Sequence, residues 1–283
     1  MLWCLSRLPY RLAIKLGEGF GALAYPLARS RRHIVAVNLK LCFPELDAAE
    51  RRQLARRNFR YTGRTVVEMA LAWWGSEEKL KPLGRLHGVE NLERAIARGK
   101  GVLLAGCHFT TLEIAARLFA MHYPFDLIYR PNDNPVFEYL TQRNRRRHFG
   151  EPIAKDDVRS LIRSLRAGRR VWYPPDQDYG KRVSVFAPFF GIQAATLAAT
   201  PKLAQMTGAA VVPSFFYGRD DGSGYDIYFE PALDNFPSED PIADVTRLNQ
   251  VFETAIRRAP AQYLWVHRRF KRRPNPNDPD LYA

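Results

Sequence analysis

His108-Phe-Thr-Thr-Leu-Glu113 sets a histidine and a carboxylate five positions apart, directly behind the apolar run Val102-Leu-Leu-Ala-Gly-Cys107. An imidazole held in one tautomer by a carboxylate is a general base, stabilised as it takes up a proton. Such a base can remove the proton of a hydroxyl, as acyl transfer to that hydroxyl requires, and is typically worth about 10²–10⁴ in rate. On one regular helix, residues five apart point about 140° away from each other. The pair therefore meets only if His108 sits on a strand-to-helix loop and Glu113 in the helix's first turn. Thr110 and Glu113 also spell a capping box, in which Glu113 bonds back to the Thr110 N–H. The carboxylate thus has a structural reading beside the catalytic one.

Arg130 can bind phosphate or carboxylate, cap a strand as a surface charge, or lie near a developing oxyanion, where a lost donor costs about 10²–10³ in rate. Asp176 and Asp178 have the chemistry to bind a divalent metal, but no third ligand is evident, and such residues also form Pro/Gly turns. Cys107 reads either as a nucleophile beside His108 or as a small hydrophobe closing a buried strand. A G-x-S-x-G elbow, a Walker loop and a G-x-G-x-x-G loop are all missing from the sequence, which disfavours a serine esterase, a P-loop enzyme and a dinucleotide enzyme.

Apolar periodicity supplies the elements that must position these residues. Residues 34–75 read as helical. Strands at 101–107, 125–130, 170–173, 209–217 and 225–230 then alternate with helices at 112–121, 136–147, 156–167, 200–206 and 241–258, with a last strand at 263–267. Thr200 suits the N-cap of its helix and Pro201 the first helical position. Such alternation implies an α/β domain with a largely parallel, helix-covered sheet. The Gly222-Ser-Gly224 turn adds one antiparallel hairpin, so a mixed sheet is expected. Ligands of such sheets bind outside the carboxyl ends of the strands. Three polar clusters fall there: 108–113, 130–135 and 175–180. Their convergence is what marks a site.

The chain has 43 Lys+Arg against 29 Asp+Glu, a formal charge of +14. That field attracts nucleic acid, anionic lipid or an acidic protein. The basic run Arg268-Arg-Phe-Lys-Arg-Arg273 reads as a nucleic-acid contact or as a solvated tail, and no nucleic-acid-binding motif accompanies it. Three widely spaced cysteines exclude a disulfide scaffold and fit a reducing compartment. Arg7, Arg11 and Lys15 share one helical face beside Leu5, Leu8, Leu12 and Leu16. This pattern suits a helix in the surface of an anionic membrane or one packed on the domain; it is too charged for a transmembrane span.

Taken together the motifs resemble the lipid A late acyltransferases, specifically the branch that lauroylates Kdo2-lipid IVA. The resemblance runs from about residue 5 to 275. It rests on Asn38-Leu-Lys-Leu-Cys-Phe-Pro-Glu45, the 108–113 segment, Tyr129-Arg-Pro-Asn-Asp-Asn-Pro135, Trp172-Tyr-Pro-Pro-Asp-Gln-Asp-Tyr-Gly180, Ser184-Val-Phe186 and Trp265-Val-His-Arg-Arg-Phe270. The histidine–glutamate spacing alone is weak, whereas these motifs in this order are specific. The resemblance implies a glycerolipid-acyltransferase-like α/β fold, with residues 1–33 as an amphipathic membrane-associating segment and 34–283 as a single acyltransferase domain. It implies transfer of a lauroyl or similar twelve-carbon chain from acyl carrier protein to a hydroxyl of Kdo2-lipid IVA or a related anionic glycolipid. The place implied is the cytoplasmic face of the bacterial inner membrane, with no metal or other cofactor. His108 would be the base and Glu113 its partner; Arg130 and Asn132 would bind substrate, and Asp176 and Asp178 would shape the site. A myristoyl-type step and a different lipid acceptor are the alternatives. Tyr179 and Asn132-Asp133-Asn134 look closer to the lauroyl branch, and the FPEG-type motif of the wider glycerolipid acyltransferases is absent. Members usually begin with a longer hydrophobic anchor, so weaker membrane attachment is expected here. The basic surface would steer an acidic carrier protein and a phosphorylated acceptor.

Overall fold

The computed structural model describes residues 2–275 and 277–283. The amino-terminal part is helical: α1 (Leu2–Leu5), α2 (Tyr10–Leu27), α3 (Arg29–Cys42), α4 (Ala48–Trp74) and α5 (Glu77–Leu80). Alternation follows with β1 (Gly84–His87), α6 (Val89–Ala97), β2 (Val102–Ala105), α7 (Leu112–Ala120), β3 (Asp126–Tyr129) and α8 (Pro135–His148). Next come β4 (Pro152–Ala154), α9 (Val158–Arg166), β5 (Arg170–Tyr173), β6 (Ser184–Phe189), β7 (Ile192–Leu197) and α10 (Ala199–Thr207). The series closes with β8 (Ala210–Gly218), β9 (Tyr225–Phe229) and α11 (Pro241–Arg258).

Among the described residues, seven strands form one sheet in the order β1-β9-β8-β2-β5-β3-β4, while β6 and β7 make a separate antiparallel hairpin. The pairs of the large sheet are parallel except β8 with β9, which the 222–224 turn joins. The expected mixed, mostly parallel sheet is therefore present. Its central strands are buried on both faces: in β2, Leu103 and Ala105 enter one core, and Val102 and Leu104 the other. Such continuous apolar runs are the mark of parallel strands covered on both sides. Helices α3, α9, α10 and α11 contribute to the first core, and α6 and α7 to the second. Polar caps fix where helices start. Asp47 and Glu50 make a capping box on α4, and Asn134 and Asp240 cap α8 and α11, each ahead of a proline.

Two expectations are corrected. No strand forms over 263–267; an isolated bridge joins Tyr263 to Phe109. The carbonyls of this segment are instead taken by side-chain amides from the helices: Asn58 Nδ2 donates to Ala261 and Tyr263, and Asn38 Nδ2 to Trp265 and His267. Thr200 is not an N-cap, because α10 starts one residue earlier and buries Thr200 inside its first turn. Helix α3 runs unbroken across residue 33.

Among the described residues, no helix is long and apolar enough to cross a membrane. Helix α2 lies on α4 with backbones almost touching. A Cβ added at Gly63 would sit 2.2 Å from the Gly17 carbonyl oxygen, and one at Gly21 would sit 2.0 Å from that of Phe59. Only glycine allows this approach. Gly63→Ala should therefore cost about 1–3 kcal/mol through overpacking. Gly19→Ala, whose Cβ meets nothing within 4 Å, should stabilise the helix by up to about 1 kcal/mol. Thermal unfolding of the two variants should shift the melting temperature in opposite directions.

Candidate active site

Strands β2 and β5 lie side by side with Ala105 opposite Tyr173. Counting three residues on from each partner reaches His108 and Asp176, so parallel register delivers the two to the same point beyond the strand ends. There the His108 Nδ1 lies 2.6 Å from Asp176 Oδ1, and the His108 backbone N–H donates to Asp176 Oδ2 at 2.9 Å. Asp176 is fully buried. Burial alone would raise its carboxyl, but the adjacent His108 and its hydrogen bonds outweigh that and hold it below the usual carboxylate range. An ionised carboxylate only accepts, so Nδ1 carries the hydrogen, which leaves Nε2 as the ring's proton-accepting position. The C-terminal segment fixes the same loop from the other side: Leu264 N–H donates to the His108 carbonyl at 2.9 Å, and Thr110 N–H to that of Gln262 at 2.8 Å.

Glu113 stands in the first turn of α7, as expected, but not on the imidazole. Arg145 Nη2 donates to its Oε2 at 2.7 Å and Arg145 Nε to its Oε1 at 3.2 Å, while Trp73 Nε1 donates at 2.9 Å. Among the described residues it makes no hydrogen bond to His108. The capping box with Thr110 is absent too, since the Thr110 N–H is taken by Gln262 and the Thr111 side chain makes no capping bond, its hydroxyl donating instead to the Phe216 carbonyl. Burial pushes the Glu113 carboxyl up, but the Arg145 guanidinium dominates and leaves it below its ordinary value.

His108, Glu113 and Arg145 line one cavity of about 590 Å³, together with Arg130, Asn132 and Asp178. Phe125, Leu127, Phe137 and Phe149 give it an apolar wall. Arg130 pairs with Asp133 at 2.9 Å on the open surface, where such pairs contribute little. Asn132 is tied to α8, its backbone N–H donating to Glu138 Oε2 at 2.7 Å and its Nδ2 at 3.0 Å. The Asp178 carboxylate is bound by Arg272. Cys107 is buried, which pushes its thiol well above the ordinary range and away from nucleophilic use.

Two residues at this site escaped sequence reasoning. Arg145 was hidden in the basic end of α8, although the four-residue steps Phe137, Thr141, Arg145 mark one helical face. His267 accepts the Asp178 N–H at 3.3 Å, and burial pushes its imidazole down to about 4, so it is neutral. A histidine between the buried Trp265 and Arg269 was the available signal.

The family described as bacterial lipid A biosynthesis acyltransferase matches residues 1–272. The chain is 40% identical over 275 residues to the lipid A biosynthesis lauroyltransferase of Escherichia coli (strain K12), covering 97% of this chain and 90% of that protein. It is 37% identical, with the same coverage, to the palmitoleoyltransferase of that organism. To the corresponding myristoyltransferase it is 31% identical over 269 residues, covering 93% and 83%. A solved structure, the 1-acyl-sn-glycerophosphate acyltransferase of Thermotoga maritima, aligns over 89% of this chain and 97% of that one at TM-score 0.40 and 15% identity, a likeness too loose to support any inference.

The Glu113–Arg145 pair is largely buried, with side-chain exposures of 13% and 19%. Glu113→Ala strands a guanidinium and should cost about 3–5 kcal/mol; Glu113→Gln, which keeps an acceptor, should cost less. Because the folded protein holds this carboxyl below its unfolded value, the stabilisation is complete above about pH 4.3 and is lost as pH falls through the folded value. The gap in melting temperature between wild type and Glu113→Gln should therefore close in acid. A gap independent of pH would show that the charge contributes nothing.

Proposed function

The chain belongs to the bacterial lipid A biosynthesis acyltransferases, and from that premise we propose that it moves a lauroyl or similar twelve-carbon chain from acyl carrier protein to a hydroxyl of Kdo2-lipid IVA, with His108 as general base. The observation that carries the mechanism is the His108–Asp176 contact at the mouth of adjacent parallel strands. His108 Nε2 takes the proton of the acceptor hydroxyl while Asp176 stabilises the imidazolium that forms. The hydroxyl oxygen attacks the thioester carbonyl, and the Arg145 guanidinium, held by Glu113 in the same cavity, stabilises the resulting oxyanion. Collapse of the tetrahedral intermediate breaks the carbon–sulfur bond, and the departing thiolate takes the proton from His108. In this reading Asp176 has the orienting role expected of Glu113, and Glu113 positions the oxyanion-binding cation. Arg130 and Asn132 sit at the rim, where they contact the incoming substrate. The 37% identity to a palmitoleoyltransferase supports a second reading, in which the chain transferred is longer and unsaturated.

We propose further that α2 lies in the cytoplasmic leaflet of the inner membrane. Leu12, Leu16, Phe20, Leu23 and Leu27 form one stripe along its outer side, exposed by 47%, 39%, 48%, 67% and 80%. The face toward α4 is closed by glycine contacts, so this stripe has the form of an interfacial helix, flanked by Arg7, Arg11 and Lys15.

His108→Ala should abolish acyl transfer from acyl carrier protein to Kdo2-lipid IVA with the fold intact; wild-type turnover in that variant would overturn the mechanism. Asp176→Asn should lower kcat/KM by about 10²–10⁴. Mass spectrometry of products from a mixture of acyl carrier proteins decides the chain transferred. For the membrane reading, each buried Leu is worth about 1.5–3 kcal/mol. Leu23→Asp/Leu27→Asp should thus bind anionic vesicles at least about tenfold more weakly, and unchanged binding would refute it.

A further inference from the structure

A second cavity of about 960 Å³ opens beside the first, between α2, α4 and the C-terminal segment. The two share Gln177, Asp178, Tyr179 and His267 in their walls. His108 lines only the smaller one. The walls of the larger cavity are chemically divided. Phe20, Ala24 and Val66 give an apolar side, and Arg31, Arg268 and Lys271 a cationic one. Arg31 is fastened to the C-terminal segment, its Nη1 donating to the Val266 carbonyl at 3.4 Å. Among the described residues, no carboxylate pairs with Arg31, Arg268 or Lys271. The one carboxylate in this lining, Asp178, is held by Arg272, so three cations on one wall lack an ion-pair partner and suit a multivalent anion. At the junction, Asp178 Oδ2 is a buried acceptor with no partner in the described residues, which suits the hydroxyl of a sugar. Phe20 belongs both to this wall and to the exposed stripe of α2, so the apolar side continues into the surface that would meet a membrane.

We infer that the larger cavity holds the acceptor, an anionic glycolipid bearing at least two phosphate or carboxylate groups. Arg31, Arg268 and Lys271 bind its charged headgroup, Phe20, Ala24 and Val66 bind its acyl chains, and its reacting hydroxyl passes the junction toward His108. The smaller cavity is left to the acyl chain of the donor. This assignment rests on the acyltransferase reading above and names which cavity each substrate takes.

The test separates the two substrates. In Arg268→Gln/Lys271→Gln, KM for a bisphosphorylated, acylated glucosamine-disaccharide lipid should rise about tenfold for each cation lost, while KM for acyl carrier protein holds. The preference for the bisphosphorylated over the monophosphorylated lipid should disappear. Ala24→Trp, which fills the apolar side, should also raise the lipid KM alone. Arg98→Gln/Lys100→Gln, equal in charge but placed at the amino end of β2, should change neither. A rise in the carrier-protein KM instead would make the cationic wall a docking site for the acidic donor and overturn the assignment. Unchanged constants for both substrates would do so as well. Direct binding of the same lipid in detergent, wild type against variants, keeps the tests distinct. Failure of the wild type to acylate it would sink the function, whereas equal binding by all variants would sink the cavity assignment.

Discussion

A fully buried carboxylate is tolerable only when hydrogen bonds replace the water it has lost, and Asp176 draws most of its replacement from one residue, His108. Ring and backbone of His108 both bind it. The surrounding architecture holds these two residues in place. Parallel pairing of β2 and β5 brings the loops together, and the C-terminal segment presses on the His108 loop through the Leu264 and Gln262 bonds. That segment has no sheet of its own. Asn38 and Asn58 hold it from the helices, each bonding two carbonyls two residues apart. The helical amino-terminal part thus anchors the chain that anchors the histidine.

Two carboxylates of this site divide the work by environment. Asp176 is bound by the ring and backbone of His108 and by the Tyr263 side chain, so in the proposed mechanism it would control a proton. Glu113 meets a permanent cation, Arg145, so in the same mechanism it would fix the place of a positive charge. Trp73 from α4 completes the Glu113 site, linking α4, α7 and α8 around one ion pair. A pair of this kind gives geometric definition more than net stability, because desolvation offsets much of the attraction.

Helix α2 connects the site to its surroundings. Its inner face is reduced to glycine where it crosses α4, which brings its backbone against Phe59 and Gly63. Its outer face keeps large apolar side chains exposed, an arrangement that costs solubility unless something apolar covers it. Phe20 lies where the outer face turns into the wall of the larger cavity. A lipid acceptor extracted from a bilayer along this helix would stay in contact with apolar surface throughout.

Much of this protein was legible in its residues. Apolar runs of three or more gave β2, β3, β5, β8 and β9, helical spacing gave α4, α7, α8, α9 and α11, and the polar clusters at strand ends marked where a site would form. Strand β1 (Gly-Arg-Leu-His) carries a single apolar residue and β4 has only three residues, so neither shows an apolar run. Periodicity likewise gave no warning that 263–267 would bond to asparagine amides rather than to a strand. The sharpest divide concerns the two carboxylates. Spacing brought Glu113 near His108 along the chain, yet the partner chosen is Asp176, 68 residues away. Local sequence determines which residues can act as base, acid or cation, since that is a property of each side chain and its few neighbours. Which of them meet is decided by strand register and helix packing, because only those bring distant segments within the 3 Å or so that a hydrogen bond requires.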